Sequence, residues 1–290
     1  MARIEVRRRL LRDGFVVLAA YLVYHAISMA VRYGIGWDAH AYYVAWDGGL
    51  YEGLPGTLDA YNYSPLFAQL TWPLTLLPWP VFCALLIGAA AVGVGWLVRP
   101  LPPVTAVAWW LFCTPEILSG NVFWLLAVAT VLGFTRGGPW CVAAYTKVLP
   151  CLGPVWFLVR REWRLLGGFI LATLVLLAAS VAVSPGEWAD WVHFLRDSAG
   201  DSNGFVYLTP AAIYFPLLAR LPIALALVVF AALTERRWLV PVCMVLASPV
   251  VGWGTFALLA AIPRLRDPGP VSDAERGQVA GRTTARRVSP

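Results

Sequence analysis

Apolar residues run along this chain in long stretches with no polar alternation, broken by single arginines, short arginine clusters, proline or glycine. Such runs predict helices that are apolar all round, as membrane spans are. The expected spans are 15–31, 80–98, 103–119, 121–134, 139–148, 149–159, 165–184, 210–234, 238–249 and 251–263. Several are short and interrupted by Pro or Gly, which is tolerated at membrane depth where broken helices line a protein cavity. The first run follows Arg3, Arg7, Arg8, Arg9 and Arg12. A basic start before an apolar run also fits a signal peptide, with Ser28-Met29-Ala30 as a weak cleavage pattern. An uncleaved first span is the reading taken, because the rest of the chain is itself apolar.

The segment 64–79 is apolar but short, and Pro65, Pro73 and Pro78 break it. If it does not cross, every short basic cluster falls on one side: Arg99, Arg136, Arg160/Arg161/Arg164, Arg236/Arg237 and Arg264/Arg266. The positive-inside rule therefore favours a dipping or surface-lying segment there, with both termini cytoplasmic. On that topology the inner side carries eighteen arginines against seven acids, and the outer side four cations against nine acids. The expected fold class is all-α: a polytopic transmembrane helix bundle of about ten membrane segments. Residues 1–263 form a single membrane-embedded domain, and 264–290 a cytoplasmic, disordered basic tail rich in Gly, Ser, Thr, Pro and Arg.

Composition sharpens this picture. The 290 residues are 60% hydrophobic and 13% charged, with a net charge of +6 and a mean hydropathy of +0.69. A soluble domain carries about 25% charged residues, so a soluble enzyme and a nucleic-acid binder are both excluded. The five cysteines, Cys83, Cys113, Cys141, Cys151 and Cys243, lie in apolar segments and read as small buried hydrophobes, with no metal-ligand spacing. There is no phosphate-binding loop, no dinucleotide fingerprint and no Asp-x-Asp, so nothing supports a cytoplasmic nucleotide site.

Chemistry is expected on the outer side, where the polar loops lie. Residues 33–63 are rich in Tyr, Trp, Gly and acids and suit an outer loop with short interfacial helices. In Trp37-Asp38-Ala39-His40-Ala41-Tyr42-Tyr43, a helix would put Asp38 and Tyr42 on one face. A carboxylate among aromatics at a membrane boundary is partly desolvated, which suits a general base; a solvated loop acid or helix cap is the plainer alternative. His40 reads as an orienting or bystander residue. Tyr61 and Tyr63, before Pro65, are interfacial anchors or substrate contacts. Glu116 and Asn121 lie where two spans join, and an acid near membrane depth is a functional candidate or a headgroup-level loop acid. Lys147 is the only lysine in the chain. It stands between two short apolar halves, where a cation should meet an anion such as a lipid phosphate, or else snorkel to the headgroups. Arg196 and Arg220 are further outer cations that would help hold a phosphate. The segment 185–208 reads as a second outer loop, with His193 and Asn203 as weaker candidates.

Taken in order, these motifs resemble a family. They are Asp-x-x-x-Tyr-Tyr after the first span, Tyr-x-Tyr-x-Pro before a short apolar helix, Gly-Asn opening a span, Lys-x-x-Pro in a broken hairpin, and Arg-Arg-x-x-Arg inside. The chain resembles glycosyltransferase family 87 of the GT-C class, polyprenyl-phosphate-mannose-dependent mannosyltransferases of actinobacteria, over roughly residues 35–166 and more weakly through Asn203. The family's usual Gly-Gln is here Gly120-Asn121, and its late Asn-Gln-Ser is only echoed by Ser202-Asn203-Gly204. The resemblance implies a GT-C-like bundle in the plasma membrane that moves a sugar, mannose by expectation, from a polyprenyl-phosphate donor to a glycolipid or glycan at the outer face. It implies an inverting reaction with Asp38 as base. Lys147, with Arg196 or Arg220, would hold the donor phosphate, and His40, Tyr42, Tyr43, Tyr61, Tyr63, Glu116, Asn121, His193 and Asn203 would line the substrates. The expected partners are membrane lipids and a lipid-linked sugar. No cofactor and no metal are required, because a cation is already at hand. A transporter or flippase for a lipid-linked substrate would use the same outer cavity and cation, and a catalytically inactive membrane scaffold is a third reading.

Overall fold

The computed structural model describes residues 2–53, 57–200 and 217–266, and among these it is all helix, with no strand. The helices are α1 Ala2–Tyr33, α2 Ala39–Tyr43, α3 Pro65–Thr75, α4 Trp79–Val98, α5 Pro103–Phe112, α6 Thr114–Ser119, α7 Phe123–Arg136 and α8 Cys141–Thr146. They continue with α9 Gly153–Arg160, α10 Trp163–Val183, α11 Pro185–Gly200, α12 Leu217–Leu233, α13 Val240–Ala247 and α14 Ile262–Arg266. Three are long and apolar enough to cross a membrane: Leu10–Tyr33 within α1, Trp79–Val98 and Trp163–Val183. The other apolar segments are built of shorter helices, so helix length alone does not establish the expected ten crossings. Proline sets many of these breaks. Pro65, Pro103, Pro115, Pro154 and Pro241 each stand in the first turn of a helix, where the missing N–H costs nothing.

The core is closed by small residues that admit large rings. Trp140 is fully buried and fits between Gly133 and Gly153, where an added Cβ would meet its indole at 2.4 Å and 2.2 Å. Phe134 packs edge-on against Trp140 and Trp156. Gly93 of α4 likewise makes room for Trp124 of α7. This close approach through glycine is the packing that apolar helices use when hydrophobic burial gives them little preference for one another.

The basic clusters gather at one end of the bundle. Arg160 donates to the Ala232 carbonyl and pairs with Glu235 at 2.9 Å. Arg237 lies over the Phe134 ring, Arg266 over Trp238, and Arg264 donates to the Trp96 carbonyl. The opposite end holds the last turn of α1, the start of α4 against His40, and the start of α7 against Lys147. The helix α3 begins and ends there: Ser64 bonds the Tyr145 carbonyl, and Tyr43 bonds the Leu77 carbonyl. The segment 64–79 therefore starts and finishes at the same end of the bundle. The segment 185–208 departs from expectation, because residues 185–200 of it form helix α11 rather than a loop. Trp188, Trp191 and Leu195 recur at helical spacing, and Trp188 anchors the helix by donating its indole N–H to the Ser180 hydroxyl at 2.9 Å. Asn203 and the tail 267–290 lie outside the described residues.

Candidate active site

The site is assembled at the end opposite the arginines. After α1 the chain turns through Gly34 and Gly36, both with positive φ, and hooks onto α6. Gly36 N–H bonds the Leu118 carbonyl at 2.8 Å and Asp38 N–H bonds the Ser119 carbonyl at 2.9 Å. The α6 helix ends at Gly120, whose φ of +71° is left-handed. An added Cβ there would lie 2.6 Å from Ala39 Cβ, so glycine is needed both for the turn and for the close approach of α2. This approach brings Asn121 to Asp38.

Asn121 is held in one orientation. Its Oδ1 accepts the Val122 N–H at 2.7 Å, which leaves Nδ2 to donate to Asp38 Oδ2 at 2.9 Å. The Tyr63 hydroxyl reaches Asn121 Oδ1 at 3.3 Å, shares a hydrogen bond with the Tyr42 hydroxyl at 2.9 Å and receives one from Lys147 Nζ at 3.2 Å. A continuous polar chain therefore runs from Asp38 through Asn121 and Tyr63 to Lys147, four residues from four separate stretches of sequence. Burial pushes the Asp38 carboxyl up from its ordinary value, against the opposing hydrogen bonds of Asn121 and Ser119 and the charge of Lys147.

Lys147 ends α8, where the backbone turns extended. The position is fixed by Ser64, whose hydroxyl donates to the Tyr145 carbonyl at 2.6 Å. The ammonium lies over the Tyr63 ring at 4.7 Å and the Phe123 ring at 4.4 Å. Among the described residues no carboxylate stands within ion-pair distance of it. A cation held by two ring faces and a phenol oxygen is placed without being neutralised.

The other expected site residues divide. Tyr42 and Tyr63 belong to the polar chain, and their rings pack edge-on at 5.2 Å. Tyr61 is buried and donates to the Ser64 carbonyl, shaping the turn that presents Tyr63. Tyr43 packs on Trp79 and Phe82. His40 turns to Asp59, with Nδ1 2.7 Å from Oδ1. Glu116 is wholly buried, and its Oε1 accepts the Trp124 N–H at 3.1 Å. It thus satisfies a free donor at the N-terminus of α7, and it offers no surface to a substrate. His193 and Arg196 are exposed on α11.

Arg220, expected as an outer phosphate ligand, is engaged by the backbone. It is buried, and its guanidinium donates to the carbonyls of Leu246, Ser248 and Pro249 at 2.9, 2.7 and 3.0 Å. It closes the C-terminus of α13, where the last carbonyls need donors.

Two contributors escaped the sequence reading. The Ser119 side chain supports Asp38 and also accepts the Asn121 N–H at 3.2 Å. Tyr51 donates to the Tyr63 carbonyl at 2.8 Å and stacks on Phe194 of α11. Tyr51 stands in a stretch crowded with aromatics, where no spacing distinguishes it. Among the described residues no group of three His, Cys, Asp or Glu side chains comes together as metal ligands.

Comparison with known families gives a match to the model of glycosyltransferase family 87 over residues 61–204, which takes in Tyr63, Asn121 and Lys147. No curated protein and no solved structure matches. The matched family is one of glycosyltransferases, and with three membrane-length helices it marks this chain as a membrane glycosyltransferase. The family that the motifs resemble is thus the one that the central half of the chain matches: glycosyltransferase family 87.

Proposed function

We propose that the protein transfers a sugar, with mannose as the expected one, from a polyprenyl-phosphate donor to a glycolipid or glycan acceptor by an inverting mechanism. The observation that carries this reading is the chain Asp38–Asn121–Tyr63–Lys147, which holds a raised carboxyl and an unneutralised ammonium at its two ends. The acceptor hydroxyl attacks the anomeric carbon and gives its proton to the Asp38 carboxylate. The bond from that carbon to the donor phosphate breaks, and polyprenyl phosphate leaves with the electron pair. Its growing negative charge is met by Lys147, with exposed Arg196 on α11 as a second cation. His193 and Asn203 remain candidates for acceptor contacts. The donor is a lipid, so no nucleotide site is needed, and neither a cofactor nor a metal is invoked.

The reaction is placed at the outer face of the plasma membrane, in a GT-C-like bundle with both termini cytoplasmic. The gathering of the arginine clusters at the opposite end supports this orientation. The test is sugar transfer from polyprenyl-phosphate mannose by the purified protein, with Asp38→Asn and Lys147→Ala beside wild type. Transfer lost in Asp38→Asn, with a raised donor KM in Lys147→Ala, is the expected result. Unchanged transfer in Asp38→Asn removes Asp38 as base. Wild-type protein that moves the intact donor across vesicles without cleaving it replaces the transferase with a flippase.

A further inference from the structure

The Tyr63 hydroxyl occupies an unusual place, between a carboxyl and an ammonium that carry opposite charges in a poorly hydrated site. It lies 3.2 Å from Lys147 Nζ, 3.3 Å from Asn121 Oδ1 and 2.9 Å from the Tyr42 hydroxyl. A phenol has one proton and two lone pairs. Asn121 Oδ1 is an acceptor fixed by the Val122 N–H, so the Tyr63 proton goes to it, and the Tyr63 oxygen accepts from Lys147 and Tyr42. The same oxygen therefore engages the ammonium while the amide beyond it engages the carboxyl.

Lysine has a flexible four-carbon stem and no fixed geometry. Nothing in its covalent structure keeps Lys147 from swinging onto Asp38, and at low dielectric the attraction is large. A direct ion pair would defeat both ends of the site. A paired carboxylate is a weaker base, and a paired ammonium is a weaker partner for phosphate. We propose that the Tyr63 hydroxyl is a positioning group that holds Lys147 apart from Asp38, so that base and cation stay separately available. This rests on the reading of Asp38 as base and Lys147 as the cation that meets the phosphate. The ring contributes as well, since Lys147 lies over both Tyr63 and Phe123. The other ionisable groups near Asp38 are Tyr42 on α2 and Glu116 on α6. Glu116 is tied to the Trp124 N–H, and His40 faces Asp59 instead.

The variant Tyr63→Phe tests this, because it keeps the ring and removes only the hydroxyl. The readout is the carboxyl stretch of Asp38, followed against pH by difference infrared spectroscopy with Asp38→Asn as the blank. It reports the carboxyl whether or not sugar is transferred. With the spacer gone, Lys147 reaches Asp38 and the titration moves down by about one pH unit or more. The acidic limb of kcat moves with it, and plateau kcat falls. Adding Lys147→Met to Tyr63→Phe returns the titration to the wild-type position or above. An Asp38 titration that stays in place in Tyr63→Phe, or moves up, overturns the proposal, as does a rate loss uniform across pH. If Tyr63→Phe does not fold, Lys147→Met alone decides. A titration within about half a unit of wild type supports separation, and a rise of one unit or more shows an existing pair and overturns it. Transfer retained in Asp38→Asn overturns the catalytic reading instead, and leaves the infrared result on spacing intact.

Discussion

Gly120→Ala should damage the site far more than the fold. The residue adopts φ +71° and ψ 23°, and holding alanine there costs about 1–2 kcal/mol. The new Cβ would stand 2.6 Å from Ala39 Cβ, about 1 Å inside an ordinary carbon contact. Neither neighbour can rotate away: one is a methyl on α2 and the other is fixed to its own backbone. The strain is relieved by parting α2 from the α6–α7 junction by about 1 Å. The bond from Asn121 Nδ2 to Asp38, now 2.9 Å, then passes beyond hydrogen-bond range. A displacement of that size at a reacting group can cost about 100-fold in rate. Transfer from the lipid donor should therefore fall by roughly two orders of magnitude, while the melting temperature in detergent drops only a few degrees. The control is Gly88→Ala on α4, where an added Cβ meets nothing within 4 Å and neither quantity should fall. Transfer in Gly120→Ala within threefold of wild type would refute the claim that this close approach sets the base.

Three further outcomes follow from the same geometry. Burial raises the Asp38 carboxyl in the fold above its unfolded value, so the native state binds the extra proton and stability is lost as pH rises from the ordinary carboxylate range through the raised one. Asp38→Asn should therefore melt above wild type at pH 7, with the gap closing toward pH 4, while transfer is abolished; a lower melting temperature at pH 7 contradicts the burial argument. Arg220→Met should destabilise by about 3–5 kcal/mol, because three buried carbonyls lose their charged donor. Its donor KM, measured below the melting range, should match wild type, and a raised KM without destabilisation would return Arg220 to the phosphate. His40→Gln should keep transfer within about threefold, since His40 pairs with Asp59 at the edge of the site; a loss of 100-fold or more would bring His40 into the chemistry.

The candidate site was legible where a charge stands out against an apolar background. Lys147 and Asp38 are conspicuous because an ionisable residue near membrane depth is costly and must have a use, and the structure joins them through Asn121 and Tyr63. The same reasoning did not foresee the capping contacts of Arg220. Its guanidinium donates to backbone carbonyls at 246, 248 and 249, and a helix end offers no side-chain signature of the donor it lacks. Ser119 and Tyr51 were invisible for a related reason, since each acts through local backbone and ring contacts that no spacing rule encodes. The helix α11 was missed because Gly186, Asp190 and Asp197 break the apolar pattern. The two half-buried contacts that hold it, Trp188 to Ser180 and Phe194 to Tyr51, are made to other parts of the chain rather than along the helix.

The short amide at 121 gains a physical sense from this arrangement. The amide at 121 has three duties: it accepts the N–H of its own neighbour Val122, accepts the Tyr63 proton, and donates to Asp38. The first requires a short side chain, because the acceptor must fold back onto the next residue. The third requires the carboxyl to come to the amide, and Gly120 allows this by letting Ala39 press against the turn. A glutamine would reach one methylene further and would need α2 to stand correspondingly farther away. The pairing of a short amide with a tightly docked α2 is thus one consistent solution, in which the reach surrendered by the side chain is recovered by the backbone. The distance between base and cation is then set by the docking of α2 on Gly120 and by the Tyr63 hydroxyl, rather than by the length of residue 121.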